Sequence, residues 1–264
     1  MTEPTRHRIE SQWQTFICAY QFLTRIPPPR HFRYSDDMMH EAARFYPLVG
    51  ALIGAFAAGV FLLADQLIAV LPAMILSTAA TLYLTGAFHE DGFADLCDGI
   101  GGGMTPERAL EIMKDSRLGT YGVTGLSMML LLKLALLTTI AMEVSVLIVV
   151  GTLITAHALS RSSAVVVIMT SDYVRDAGTA KPVSAGLNGH GKMIMLISSA
   201  VLVLVGGWLM GFTPVLVGGA VMAVMHLFIR HLFEAKLGGY TGDCLGATQQ
   251  MSEVGFYLGV AACI

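Results

Sequence analysis

Apolar segments recur along the whole chain, near residues 46–64, 73–88, 118–142, 144–169, 193–211, 214–233 and 246–264. A helix needs about 20 residues to cross the hydrocarbon of a bilayer. The second segment is short, and the last opens on the polar residues Thr248, Gln249 and Gln250. Lipid satisfies no backbone N–H or C=O group, so a spanning segment is either a helix or part of a closed barrel. No alternating barrel pattern is present. The chain is therefore expected to be all-α: a polytopic integral membrane helical bundle of about six or seven transmembrane helices, one membrane-embedded domain over residues 1–264. Only 13% of its residues are charged, against about 25% in an ordinary soluble domain.

If the segments alternate in direction, fourteen of the sixteen Lys and Arg fall on one side: six in 1–45, three in 89–117, three in 171–192 and two in 230–236. The opposite turns, near 65–72, 143 and 212–213, hold none. Cytoplasmic loops carry the excess of Lys and Arg, so the N-terminus and the long loops are expected inside, at a bacterial inner membrane. Residues 1–45 form a cytoplasmic or interfacial region. Within it, Phe16, Tyr20 and Leu23 share a stripe, with Trp13 near it, as an interfacial helix would have. Pro27, Pro28 and Pro29 end that helix. The start of the chain, with Arg6, His7, Arg8 and Glu10, lacks a signal-peptide pattern. The four cysteines follow no metal or disulfide spacing. The net charge of −3 gives no reason to expect a nucleic-acid partner.

The chemistry concentrates between two apolar segments, at residues 86–122. Glu90, Asp91, Asp95, Asp98, Glu111 and Asp115 all fall there. Asp91, Asp95 and Asp98 are spaced i, i+4, i+7, which on a helix puts them within about 60° of one another. Three carboxylates on one stripe repel unless a cation sits between them. The matching cation is hard and divalent, Mg²⁺ or Mn²⁺ as a substitute, because both take oxygen ligands. The competing reading is a solvated acidic helix end. Gly92 and Gly99 beside these acids would let substrate or metal approach the backbone.

Other polar residues lie outside that stretch. Lys133 and Arg161 fall inside predicted spans, with His157 one turn before Arg161. A charge at membrane depth costs about 2.5–3.5 kcal/mol on insertion scales. Lys133 fits either a structural pair with an inward acid or a substrate contact. His157 and Arg161 are expected to line a polar cavity that receives an anionic substrate. Asp65 is expected at the far interface, and His226 at a packed polar position. The loop at 171–192, with Gly178, Gly186, Gly189 and Gly191, suits a lid or a plain connector. Asp243 lies in a second acid-and-glycine stretch, Gly239-Tyr240-Thr241-Gly242-Asp243. It is expected to join the site of Asp91 across 152 positions of sequence, with Thr241 contacting phosphate, although a turn-forming Asp would look the same.

His89-Glu90-Asp91-Gly92-Phe93-Ala94-Asp95-Leu96-Cys97-Asp98-Gly99, Met113-Lys114-Asp115-Ser116-Arg117-Leu118-Gly119-Thr120 and the stretch at 239–243 resemble cobalamin synthases, also called adenosylcobinamide-GDP ribazoletransferases. Phe22 to Pro27, Tyr46 to Gly50, and Leu159-Ser160-Arg161 extend the likeness over nearly the whole chain. Tyr121 stands where the family often has His, and Gly101 to Gly103 replace a more polar stretch. The resemblance implies that adenosylcobinamide-GDP and α-ribazole, or its 5′-phosphate, give adenosylcobalamin, or its 5′-phosphate, and GMP, with Mg²⁺. Roles follow from it. Asp91, Asp95 and Asp98 would hold metal, one acting as general base, and Asp115 would complete the shell. Lys114 and Arg117 would bind diphosphate, Arg117 bidentately. Arg161 and Lys133 would reach the second substrate. A homo-oligomer is left open. Asp95-Leu96-Cys97-Asp98-Gly99 is also similar to the opening of the CDP-alcohol phosphotransferase signature, but the Ala-Arg that follows there is missing. A cation transporter is the other rival. It would carry its acids near the bilayer midplane rather than at a cytoplasmic edge.

Overall fold

The computed structural model describes residues 3–175, 181, 183 and 186–264, with side chains from Ser11 onward except that of Asp36. Among them are eleven α-helices. Helix α1 is Glu3–Leu23, α2 Asp36–Ala42 and α3 Tyr46–Asp65. Then come α4 (Val70–Thr85), α5 (Phe88–Gly102), α6 (Pro106–Ile112), α7 (Thr120–Glu143) and α8 (Val146–Thr170). The chain closes with α9 (Gly189–Met210), α10 (Phe212–Leu237) and α11 (Gly242–Ala261). Gly178 of the expected loop lies outside the described residues.

Among the described residues, five helices are long and apolar enough to cross a membrane: the Asp37–Asp65 run ending in α3, then α7, α8, α9 and α10. The pair α4 and α5, bent by 88°, makes a sixth if counted as one span. The expected segment at 246–264 is α11. It fails the same apolarity test because Thr248, Gln249, Gln250, Ser252 and Glu253 lie along it. Those residues are buried rather than lipid-facing. Helix α11 packs against α10, α5, α8 and α7, so it runs through the middle of the bundle. An interior helix meets protein on every side and needs no continuous apolar surface.

Small residues set a close helix approach between α3 and α8. A Cβ at Gly50 would stand 2.3 Å from the carbonyl oxygen of His157, and one at Gly54 2.6 Å from that of Leu153. Small residues four apart let two backbones touch, which substitutes for the hydrophobic drive that lipid removes.

The bend between α4 and α5 has a local cause. Gly86 (φ 70°) and Ala87 (φ 55°) are both left-handed. Gly86 ends α4 with its N–H on the Leu82 carbonyl, and Ala87 starts α5. A left-handed alanine costs roughly 1–2 kcal/mol, and the segment just after α1 buttresses the turn: the Arg25 N–H donates to the Leu84 carbonyl at 2.8 Å. The turn swings α5, which carries the acid motif, out of line with the span that leads into it.

Replacing Gly54 by Leu is expected to lower the thermal stability of the detergent-purified protein by at least about 1–3 kcal/mol, through overpacking against α8. Leu at Gly59, which has open space around its Cβ position, is the control. Equal melting temperatures for the two variants would contradict the close-packing account.

Candidate active site

Helix α5 holds the acid stripe as expected, and the helix places its members in different surroundings. Asp91 is exposed, Asp95 half-buried and Asp98 buried. Asp98 also bears electrostatically on Asp95, but its oxygens are engaged locally. Its carboxylate accepts the Gly119 N–H at 2.7 Å and the Gly122 N–H at 2.8 Å, so it caps the N-terminus of α7. A Cβ at Gly122 would lie 2.4 Å from a carboxylate oxygen of Asp98. The Leu118-Gly119-Thr120-Tyr121-Gly122 stretch thus needs glycine where it does because the carboxylate presses onto the backbone. Asp98, expected beside Asp91 and Asp95 as a metal ligand, is engaged as a fixture between α5 and α7.

Asp243 takes the neighbouring position. It sits in the first turn of α11, and the Cα of Asp243 is 2.9 Å from where a Cβ of Gly92 would be. Gly246 of the same helix would likewise place a Cβ 2.9 Å from the His89 carbonyl. The starts of α5 and α11 therefore touch backbone to backbone. Gly92 serves that contact, and Gly99 makes room for Met113, so neither is an opening for substrate. The contact brings the Asp243 and Asp91 carboxylates within electrostatic reach of Asp95. Thr241 caps α11: its Oγ1 accepts from the Cys244 N–H at 3.5 Å and lies 3.4 Å from Asp243 Oδ2. It is fully buried, so its expected phosphate contact is not open.

One cation enters this group, and it is a residue the sequence reading left unassigned. Arg175 Nη2 lies 2.7 Å from Asp243 Oδ2 and 3.4 Å from the Met113 carbonyl. A short parallel bridge carries it there. The Tyr240 N–H donates to the Asp172 carbonyl at 2.8 Å, and the Val174 N–H to the Tyr240 carbonyl at 3.0 Å. Tyr173 and Tyr240 meet edge to face at 5.3 Å. The pairing of 172–174 with 240 sets Arg175 over the first turn of α11. Only spatial pairing, not spacing, could have linked those residues.

The loop before α7 is close by, through Met113, but its charges are arranged differently from the expectation. Arg117 Nη2 is 2.6 Å and its Nε 3.0 Å from the two carboxylate oxygens of Asp115. Hydrogen bonds from Arg117 hold the exposed Asp115 carboxyl down at about 2. The pair is neutral as a unit near pH 7, and the Arg117 fork is filled by its own loop. Asp115 is thereby a partner of Arg117 rather than a member of a metal shell. Lys114 is exposed beside them.

Lys133, His157 and Arg161, expected to reach substrate, are engaged inside the bundle. All three converge on Glu253, which is fully buried and which the sequence reading did not single out. Lys133 Nζ is 2.5 Å from Glu253 Oε1, and His157 Nδ1 and Arg161 Nη1 are 3.2 and 3.8 Å from Oε2. Tyr257 and Gln249 donate to the same carboxylate. Gln250 donates to both Gln249 and Glu90, so the network reaches the residue before Asp91. Arg161 borders a partly open, apolar cavity of about 30 Å³ with Phe22, Tyr46, Phe88 and His89, rather than the polar one expected. That volume holds a water molecule or two, not a nucleotide. The signal for Glu253 was a lone acid in an otherwise uncharged seventh segment. His226 is packed as expected, its Nδ1 2.7 Å from Ser163 Oγ.

Among the described residues, no three His, Cys, Asp or Glu side chains stand close enough together to hold one metal ion as they are. The donor chemistry still suits a hard cation. Asp91, Asp95 and Asp243 offer only oxygen, bear on one another electrostatically, and are countered by one shared guanidinium.

The fold and site define a polytopic helical membrane protein with carboxylates clustered where α5 meets α11. The comparisons make this specific. The model of the cobalamin-5-phosphate synthase family matches residues 15–261. A protein from Vibrio cholerae serotype O1 named adenosylcobinamide-GDP ribazoletransferase is 42% identical over 249 residues, covering 94% of this chain and 93% of its own. Leptothrix cholodnii has one of the same name, 43% identical over 92% of this chain and 93% of its own. The Shewanella halifaxensis protein of that name is 42% identical over 94% and 95%. No solved structure matches. The chain belongs to the cobalamin-5-phosphate synthase family and is an enzyme, a transferase of late cobalamin assembly.

Two stability measurements test the division between site and scaffold. Glu253→Gln leaves Lys133 and Arg161 buried without a counter-charge and is expected to cost about 3–5 kcal/mol. Combined with Lys133→Met it should cost less than the sum of the single changes, because the two act on one pair. Additivity would dissolve the network. Asp98→Ala removes the α7 cap and should lower stability by about 1–2 kcal/mol. A melting temperature equal to that of the unsubstituted protein would free Asp98 for another role.

Proposed function

We propose that the chain joins adenosylcobinamide-GDP to α-ribazole, or to α-ribazole 5′-phosphate, with release of GMP. The observation that carries this reading is the meeting of Asp91, Asp95 and Asp243 where α5 touches α11, in a member of this family. A ribazole hydroxyl attacks the phosphoryl attached to cobinamide. The new P–O bond forms as the bond to the GMP phosphate breaks, and one of the carboxylates takes the hydroxyl proton. The product is adenosylcobalamin, or its 5′-phosphate.

Asp91, Asp95 and Asp243 are the residues that would hold Mg²⁺ or Mn²⁺. When bound, such an ion neutralises charge on the phosphoryl oxygens. Arg175, and exposed Lys114 next to the Met113 whose carbonyl Arg175 approaches, are the cations we assign to a diphosphate. The distribution of Lys and Arg supports an inner-membrane protein with this face toward the cytoplasm.

The test is turnover. Detergent-purified protein given adenosylcobinamide-GDP and α-ribazole should release GMP. EDTA should stop the release and Mg²⁺ restore it. Asp243→Asn should lower kcat by about 10²–10³-fold while the protein still elutes as a single folded species. Full activity in metal-free buffer would overturn the metal assignment, and no GMP under any condition would overturn the reaction.

A further inference from the structure

Arg175 raises a question that the reaction alone does not answer. A guanidinium already pairs with one of the carboxylates that would hold the metal. Its Nη2 is 2.7 Å from Asp243 Oδ2, and its charge bears on Asp95 as well. Both partners are largely buried, at 14% and 20% exposure, so the pair is poorly screened by solvent. The bridge of 172–174 to Tyr240 fixes the backbone on both sides of the pair. The side chain is less completely committed than its backbone. Its second contact, to the Met113 carbonyl, is long at 3.4 Å, and its buried Nε has no hydrogen-bond partner.

A buried donor without an acceptor costs about 1–3 kcal/mol, so a second acceptor for this guanidinium would be bound at a gain. Three carboxylates that repel one another need positive charge at every stage. Two cations cannot fully occupy the same carboxylate oxygens. On these grounds, and resting on the function proposed above, we propose that Arg175 is the resident counter-ion of the acid cluster, which a divalent cation displaces, and that the freed guanidinium then grips the diphosphate of the GDP-activated substrate. Arg175 thereby couples the two events. In the empty enzyme it keeps the carboxylates from repelling one another and competes with the ion. After displacement it presents a planar fork of donors, the geometry that matches two phosphate oxygens.

The experiment is Mn²⁺ binding to the purified full chain without substrates, read by electron paramagnetic resonance. Arg175→Gln removes the competing charge and should bind Mn²⁺ about tenfold more tightly or better, the lower end of what close charge pairs contribute. The same variant should raise the KM for the GDP-activated substrate. Arg175→Lys keeps the charge and should bind Mn²⁺ within about threefold of the unsubstituted protein, while still raising that KM, because an ammonium lacks the fork. In the unsubstituted protein, Mn²⁺ should increase labelling of Arg175 by phenylglyoxal, located by mass spectrometry, and this readout needs no variant to fold. A purely structural arginine predicts weaker or unchanged Mn²⁺ binding in Arg175→Gln and no metal-dependent labelling, and either result overturns the inference. If the unsubstituted protein binds no Mn²⁺, the metal assignment falls with it. If it binds Mn²⁺ but Arg175→Gln binds no tighter, this inference alone fails.

Discussion

A carboxylate with no exposure to water fixes the centre of this bundle. Glu253 can remain charged there only because Lys133, His157 and Arg161 reach it from α7 and α8, with Tyr257 and Gln249 donating from its own helix. Each of these groups would be costly alone at that depth. Together they hold three helices in one register. The geometry explains why α11 can be so polar and still run inside a membrane protein. It also ties scaffold to site, since the same hydrogen-bonded chain runs through Gln249 and Gln250 to Glu90, one residue before Asp91.

The acids of α5 share a stripe but divide their work by environment. Asp98 is spent on the amides of α7, where a negative charge meets the positive end of a helix dipole. Asp91 and Asp95 carry no such amide contacts, and Asp243 arrives from the far end of the sequence to stand with them. Glycine makes both arrangements possible by absence. At Gly119 and Gly122 a side chain would strike a carboxylate, and at Gly92 it would strike the α11 backbone.

Much of this was legible in the sequence. Apolar length gives the helices, because lipid allows few alternatives. Spacing puts Asp91, Asp95 and Asp98 on one helical face, and the acid-and-glycine likeness links Asp243 to them. What spacing could not convey is which oxygen meets which hydrogen. Asp98 reads the same from periodicity whether it faces a cation or a helix end. Lys133 could be read as half of a pair with an inward acid, but neither its partner nor that of Arg161 could be named, because Glu253 is more than 90 positions away from either. Arg175 was one basic residue among several in a loop, and only the bridge to Tyr240 gives it a place. Arg117 looked free for phosphate because a pairing two residues away, to Asp115, depends on a turn that no periodicity marks.

The turn at Gly86 and Ala87 bears on the lipid as well as on the fold. Helix α4 has 16 residues, about 24 Å at 1.5 Å per residue, while the hydrocarbon layer is about 30 Å thick. A stretch that short is accommodated by local thinning of the bilayer or by drawing flanking residues inward. Helix α5 begins at that end and turns away by 88°. The acids therefore begin where that short helix ends, so any thinning of the lipid to match α4 would lower the surrounding surface toward them.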